Sequence, residues 1–124
     1  MAATPGTFKE IFALLRDILR TESRGLTVSA DKPTYFCLEI PYSPKFKKGF
    51  PVAWVKISKS YVSYHFMPVY FSPSLCDPLS PGLRRRMQGK SCFNFTSVDP
   101  ELFAELRDLT VRGFETSRQM GVMG

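Results

Sequence analysis

The stretch from Pro51 to Phe66, PVAWVKISKSYVSYHF, decides the fold. Pro51 to Ile57 is predicted to form one strand and Tyr61 to Phe66 the next, because the short segment Lys59-Ser60 between them favours a turn. Alternate residues of the second strand point to opposite faces. One face carries three large or branched side chains: Val62, Tyr64 and Phe66. The other carries Tyr61, Ser63 and His65. The pattern predicts an antiparallel hairpin that buries one face.

Three more strands are predicted around this hairpin. Leu26 to Ala30 alternates apolar and hydroxyl side chains, Asp31-Lys32-Pro33 is a turn, and Thr34 to Ile40 forms the second strand. Ser91 to Phe95 is predicted to be the fifth strand. The loop Pro41 to Gly49 contains prolines, a glycine and lysines, and we expect it to be the most mobile segment.

Two long helices and a short one complete the pattern. Thr7 is expected to cap the first helix, whose apolar residues then repeat at helical spacing. Ser80-Pro81 opens a short basic helix that runs through Met87. Asp99-Pro100 opens the last helix, and its apolar face extends to Phe114.

This order of elements predicts an α+β fold. We expect a two-layer sandwich with an antiparallel sheet of about five strands and the N- and C-terminal helices packed on one face. Residues 1–124 are expected to form a single domain, because the length is ordinary for one domain and no repeat or linker interrupts it.

The composition is typical of a globular protein from a reducing compartment. Hydrophobic residues make up 44% and charged residues 23% of the chain, which argues against disorder. No stretch approaches the roughly 20 apolar residues of a membrane span, and the N-terminus does not match a secretory signal. The three cysteines have no CxxC spacing, and we expect them to be reduced thiols. We therefore expect a cytoplasmic protein without a membrane partner.

Positive charge is concentrated in the middle of the chain. Residues 45–90 contain nine basic residues and one acidic residue, whereas the rest of the chain has a small excess of acids. Such a segment attracts phosphates, nucleic acid or acidic protein surfaces. The predicted anion-binding residues are Lys45, Lys47, Lys48, Arg84, Arg85, Arg86 and Lys90. Because neighbours on a helix differ by about 100°, the arginines point in different directions, and at least one is expected to face back over the sheet. The alternative for Arg84–Arg86 and Lys90 is a solvated basic turn that binds no ligand. Tyr64 and His65 are predicted to contribute to a pocket.

The sequence predicts no catalytic group, cofactor or metal site. Gly89-Lys90-Ser91 resembles part of a phosphate-binding loop, but that motif needs a glycine where Arg84 stands. His65 is the only histidine, and nothing in the spacing places a thiol beside it. One histidine with three scattered cysteines gives no recognisable set of metal ligands.

Three segments carry a resemblance to a known family: Val52–Val55, Tyr61–Pro68 and Met87–Phe95. Together with the closing helix they are similar to the YdhG-like family of domains of unknown function, from the first helix to about Phe114. The YjbR-like proteins have a similar order of elements and are the second candidate. The resemblance implies a compact α/β sandwich and, for most members, no known activity. One branch has been described as a frataxin-like iron chaperone. Hard cations prefer clustered oxygen ligands, but in the first helix of this chain basic residues offset the acidic ones. We therefore do not expect this chain to bind iron.

The favoured hypothesis is a non-enzymatic binding module with a basic face for an anionic ligand or an acidic protein surface. Two alternatives stay open. The first is an enzyme, or an enzyme-associated domain, acting on a phosphorylated small molecule, with Lys90, Arg86 and His65 close together. The second is a nucleic-acid-binding domain in which Tyr61 and Tyr64 stack on bases beside the lysines. No known nucleic-acid-binding signature is present in support of it.

Overall fold

The predicted hairpin lies in the middle of a six-stranded antiparallel sheet. The structure, a computed structural model, describes residues 7–123. The strands are β1 (Thr27–Lys32), β2 (Tyr35–Ser43), β3 (Lys48–Ile57), β4 (Val62–Phe66), β5 (Met87–Gln88) and β6 (Cys92–Phe95). In space they follow the order β1-β2-β3-β4-β6-β5, and every neighbouring pair is antiparallel.

The two long helices begin where the capping residues predict. The helices are α1 (Phe8–Thr21), α2 (Pro68–Phe71), α3 (Pro81–Arg84) and α4 (Pro100–Gln119), with a 3-10 turn at Pro73–Cys76. The side-chain oxygen of Thr7 accepts a hydrogen bond from the backbone N–H of Glu10, and Asp99 accepts one from Leu102. These bonds satisfy donors that the first turn of a helix leaves free. The predicted α+β class, with the terminal helices on one face of the sheet, is confirmed.

The segment predicted as a loop from Pro41 to Gly49 is mostly strand. Only residues 44–47 form the turn, and Ser43 pairs with Lys48. The turn closes through a 2.6 Å hydrogen bond from the Lys47 N–H to the Ser43 carbonyl, and Lys47 has a φ of 59°. Gly49 permits the close approach of the strands, because a Cβ there would lie 2.6 Å from a backbone carbonyl oxygen.

The short basic helix ends earlier than predicted, and a sixth strand follows it. The Arg86 carbonyl accepts a 2.8 Å hydrogen bond from the Asn94 N–H, and Met87 pairs with Phe93. The helix therefore ends at Arg84, and after a turn at Arg85 and Arg86 the chain enters β5. A strand of two residues is too short for a period of two to be visible in the sequence.

The core lies between the long helices and one face of the sheet. The three β4 residues predicted to share the buried face, Val62, Tyr64 and Phe66, are fully buried. The Phe66 ring lies 5.2 Å from the Phe114 ring of α4, measured between centroids. Gly113 faces the same phenylalanine so closely that a Cβ at this position would overlap the Phe66 ring.

No helix within residues 7–123 combines the length and the hydrophobicity that crossing a bilayer requires.

The contact between Gly113 and Phe66 gives a prediction about stability. Alanine normally favours a helix over glycine by about 1 kcal/mol. In Gly113→Ala, however, the added methyl group meets the Phe66 ring, and overpacking of this kind costs about 1–3 kcal/mol. We expect a lower free energy of unfolding by urea denaturation. Arg107→Ala, at an exposed position of the same helix, is the control and should change stability by less than about 0.5 kcal/mol. A Gly113→Ala protein as stable as wild type would contradict the close packing of Gly113 against the Phe66 ring.

Candidate anion-binding surface and open-face cleft

Two turns that carry lysines lie at the same end of the sheet. Residues 44–47 connect β2 to β3, and residues 89–91 connect β5 to β6. The start of β3 and the end of β4 meet at this end, because Ala53 pairs with Phe66. Cys92, at the start of β6, pairs with His65 near the end of β4. The antiparallel pairing therefore brings Lys90 to the same end as the lysines of the other turn.

Aromatic rings connect these two turns. The Phe71 ring lies 5.6 Å from the Phe46 ring and 5.8 Å from the Phe50 ring, and Phe46 and Phe50 are 5.3 Å apart, all between centroids. Tyr70 continues the row at 6.2 Å from Phe71. The Lys90 ammonium nitrogen lies 6.0 Å from the Tyr70 centroid, at the outer limit of a cation–π contact.

This row of rings is open to solvent at both ends. Phe46 is 39% exposed and Tyr70 is 53% exposed. Near the Phe46 end, a shallow apolar depression of about 250 Å³ is flanked by Lys48. We name the whole region the basic-aromatic surface: Lys45, Phe46, Lys47, Lys48, Phe50, Tyr70, Phe71 and Lys90. It combines exposed ring faces with ammonium groups, a combination that suits a partner with negative charge and flat groups.

The three predicted arginines do not act together. The Arg84 guanidinium turns back onto the preceding loop and donates to three carbonyl oxygens: those of Cys76 at 2.6 Å, Asp77 at 3.1 Å and Leu79 at 3.3 Å. Arg84 therefore braces this loop rather than facing over the sheet. Arg85 and Arg86 are exposed, and neither side chain forms a hydrogen bond or ion pair within the described part of the chain.

Tyr64 is part of the core and does not line a pocket with His65. Its side chain is fully buried, and its hydroxyl donates to the Thr110 hydroxyl at 2.6 Å, which itself donates to the Leu106 carbonyl. Burial raises the pKa of Tyr64 above its usual value of 10.0. Consecutive residues of a strand point to opposite faces, so the structure separates the two residues that were predicted to share a pocket.

His65 instead lines a cleft of about 380 Å³ on the sheet face opposite the helices. Its ring stacks on Trp54 with a centroid separation of 4.6 Å and an angle of 15° between the planes. The Cys92 sulfur lies 3.6 Å from His65 Nε2 and 3.3 Å from Asn94 Oδ1. We name this region the open-face cleft, and its other polar walls include Lys56, Tyr61, Ser63 and Gln88.

The thiol beside His65 corrects the expectation from the sequence, in which nothing placed a cysteine there. His65 and Cys92 are paired residues of neighbouring strands and so share a face. The signal lies in β6 itself, where Phe93 and Phe95 are buried and Cys92 and Asn94 must point the other way. What the sequence does not reveal is that β6 lies next to β4.

Burial leaves the thiol and the imidazole neutral near pH 7. Desolvation lowers the pKa of His65 below its usual 6.5, and the positive charge of Lys56 lowers it further. Desolvation also raises the pKa of Cys92 above its usual 9.0. Both shifts disfavour the charged forms, so the pair consists of a neutral thiol beside a neutral imidazole near pH 7.

The alternative cluster of Lys90, Arg86 and His65 is not formed. Lys90 extends toward Tyr70, and neither Lys90 nor Arg86 is among the described residues that line the open-face cleft. Within residues 7–123, no three His, Cys, Asp or Glu side chains are grouped so as to hold a metal ion.

No family model, curated protein or solved structure matches this chain. The resemblance to the YdhG-like family, with the YjbR-like proteins as second candidate, therefore stays a prediction.

The environment of His65 predicts a pH dependence of stability. Because its pKa is lower in the folded chain, the unfolded chain binds a proton more readily over the interval between the two values. The free energy of unfolding should therefore fall as the pH drops below about 6.5 and continue to fall through the folded pKa. Urea denaturation of wild type and His65→Asn at several pH values measures this, and the variant should lose less stability on acidification. Since His65 is the only histidine, its ring NMR signal reports the folded pKa directly. A midpoint at or above 6.5 would contradict the prediction.

Proposed function

We propose that this chain is a non-enzymatic binding domain for an anionic partner and that the basic-aromatic surface is its contact region. The observation that supports this best is the convergence of two lysine-bearing turns at one end of the sheet, with exposed rings between them. A cytoplasmic location is part of the proposal, because all three cysteines are free thiols and such thiols persist in reducing compartments.

The lysines supply attraction, and the rings supply selectivity. Lysine ammonium groups that neutralise phosphates release counterions, so affinity of this kind falls steeply with salt. Exposed rings add about 1–3 kcal/mol for each base that stacks on them. Phe46 and Tyr70 are the most exposed rings of the surface. They favour an anion that also carries flat groups over inorganic phosphate alone.

Single-stranded nucleic acid is the second candidate, and the row of rings among the lysines specifically favours it. Its phosphates would meet the ammonium groups, and its bases would stack on Phe46 and Tyr70. An enzyme acting on a phosphorylated small molecule has less support. Arg84 is engaged by backbone carbonyls, and Lys90 does not line the open-face cleft of His65.

A charge-removal experiment tests the surface. The variant Lys45→Gln/Lys48→Gln/Lys90→Gln leaves unchanged Lys47, the positive-φ residue of the turn. Binding of a fluorescent oligothymidylate is measured by anisotropy over a range of salt concentrations. We expect affinity to fall about tenfold or more at low salt. The slope of log K against log salt should become shallower by about 0.7 for each phosphate that the variant no longer neutralises.

The matched control removes the same charge elsewhere. Lys9, Lys32 and Lys59 are exposed, and the latter two lie at the opposite end of the sheet. The triple glutamine variant at these positions should bind nearly as well as wild type. An equal fall in affinity in both triple variants would show that net charge alone attracts the probe, and the proposed surface would be wrong.

The rings are tested separately from the charges. Phe46→Leu/Tyr70→Leu keeps the surface apolar but removes two stacking planes. If the partner is single-stranded nucleic acid, affinity for the oligothymidylate should fall about tenfold or more, while affinity for inorganic polyphosphate stays unchanged. Equal binding of the oligothymidylate by the variant and the wild type would contradict the nucleic-acid candidate. Binding of polyglutamate alone would indicate an acidic protein surface instead.

A further inference from the structure

The open-face cleft holds a thiol, a proton acceptor and an anchoring cation that the basic-aromatic surface does not use. Cys92 Sγ lies 3.6 Å from His65 Nε2, and Lys56 lines the same cleft. The cleft volume of about 380 Å³ is within the range of small-molecule pockets. These groups come from three adjacent strands, β3, β4 and β6, which fix their relative positions.

The imidazole is held in place for proton transfer. Stacking on Trp54 at 4.6 Å restrains the plane of the His65 ring, and the ring nitrogen Nε2 faces the thiol. In the resting arrangement the thiol donates to Asn94 Oδ1 at 3.3 Å. Rotation about one bond brings the thiol hydrogen to Nε2. Burial lowers the pKa of His65 and so keeps the imidazole neutral near pH 7, and in the tautomer that carries its proton on Nδ1 the Nε2 atom can accept the thiol proton.

The other two cysteines lack this arrangement. Cys37 is only 2% exposed, and its sulfur contacts a backbone carbonyl. Cys76 is partly buried like Cys92, and burial raises its pKa as well, but Arg84 and Asp77 are its charged neighbours rather than an imidazole. Cys76 therefore serves as an internal control, because it is partly buried like Cys92 but has no imidazole beside it.

The surroundings of Cys92 favour one class of thiol chemistry. Acyl transfer develops charge on an oxygen and needs donors directed at it. One amide donor next to Cys92, Asn94 Nδ2, is bonded to Gln88 Oε1 at 2.6 Å and is not free for this role. Thiol–disulfide exchange develops charge on sulfur alone and needs only a base and room for the leaving thiol. The Lys56 ammonium adds a counter-charge for a carboxylate on the incoming molecule.

We propose that Cys92 is a site of thiol–disulfide exchange with small disulfides that carry carboxylates, with His65 as the proton acceptor. In this step His65 Nε2 takes the Cys92 proton, and Sγ attacks one sulfur of the incoming disulfide. A new S–S bond forms and the old one breaks, so Cys92 is oxidised and the departing sulfur is reduced. The departing thiolate takes the proton from His65. The products are a mixed disulfide on Cys92 and one free thiol, without any further oxidant.

The experiment uses glutathione disulfide as the probe. The full chain is incubated with it near pH 7, and peptide mass spectrometry follows the adduct at each cysteine over time. We expect Cys92 to react about tenfold or more faster than Cys76, and His65→Gln to remove this advantage while leaving the Cys76 rate unchanged.

The role of Lys56 is tested separately. Lys56→Gln should slow the reaction with glutathione disulfide but not with the uncharged 2-hydroxyethyl disulfide. Equal rates at Cys92 and Cys76 in wild type, or an unchanged Cys92 rate in His65→Gln, would overturn the proposal.

The pH dependence of the Cys92 reaction rate in the wild-type chain shows whether His65 accepts the thiol proton or whether Cys92 is merely accessible. This measurement does not depend on the folding of a variant. The titratable groups that face His65 are Lys56 on β3, Cys92 on β6 and Tyr61 at the mouth of the cleft. An unassisted thiol such as Cys76 reacts through its thiolate, so its rate rises about tenfold per pH unit below its pKa. A thiol that gives its proton to a neutral imidazole reacts at a nearly constant rate above the histidine pKa. A tenfold rise per unit for Cys92 between about pH 7 and 8, parallel to Cys76, would overturn the role of His65.

Discussion

The packing of α4 onto β4 determines where the polar side chains of the sheet point. Phe66 lies against Phe114 and so close to Gly113 that no side chain fits there, and Tyr64 donates its hydroxyl to Thr110. Since side chains alternate along a strand, sealing this face leaves His65 on the other. A shift of the register by one residue would exchange the two faces. The open-face cleft is thus a consequence of how the core is closed.

The parts of the fold that follow from local chemistry could be predicted from the sequence. Thr7 and Asp99 cap the long helices because their side-chain oxygens reach free N–H groups nearby in the chain. The alternation in β4 predicted its buried face for the same local reason. The order and register in which the strands pair could not be predicted in this way, because they depend on contacts between segments that are distant in the sequence. Only the pairing of β4 with β6 places Cys92 beside His65, and no spacing along the chain reveals that neighbour.

The basic residues also show that position along the chain does not reveal which side chains meet in space. The count of basic residues from 45 to 90 describes a long-range field but does not say which side chains are free to use it. Arg84 directs its hydrogen bonds to backbone carbonyls, whereas Lys90 is carried by the β5–β6 turn to the end of the sheet where Tyr70 lies. The segment therefore separates into a structural arginine, two exposed arginines and a group of lysines interleaved with rings.

The basic-aromatic surface and the open-face cleft are built on the same strands but share no side chain. Lys48 stands at the start of β3 and Lys56 near its end, while Lys90 and Cys92 lie on either side of the boundary between the β5–β6 turn and β6. Neutralising the lysines at the end of the sheet removes no contact of the Trp54–His65 stack, and replacing His65 removes no contact of the row of rings. Because the two regions share strands but no lining residue, the proposed anion binding and the proposed thiol exchange should be separable by mutation.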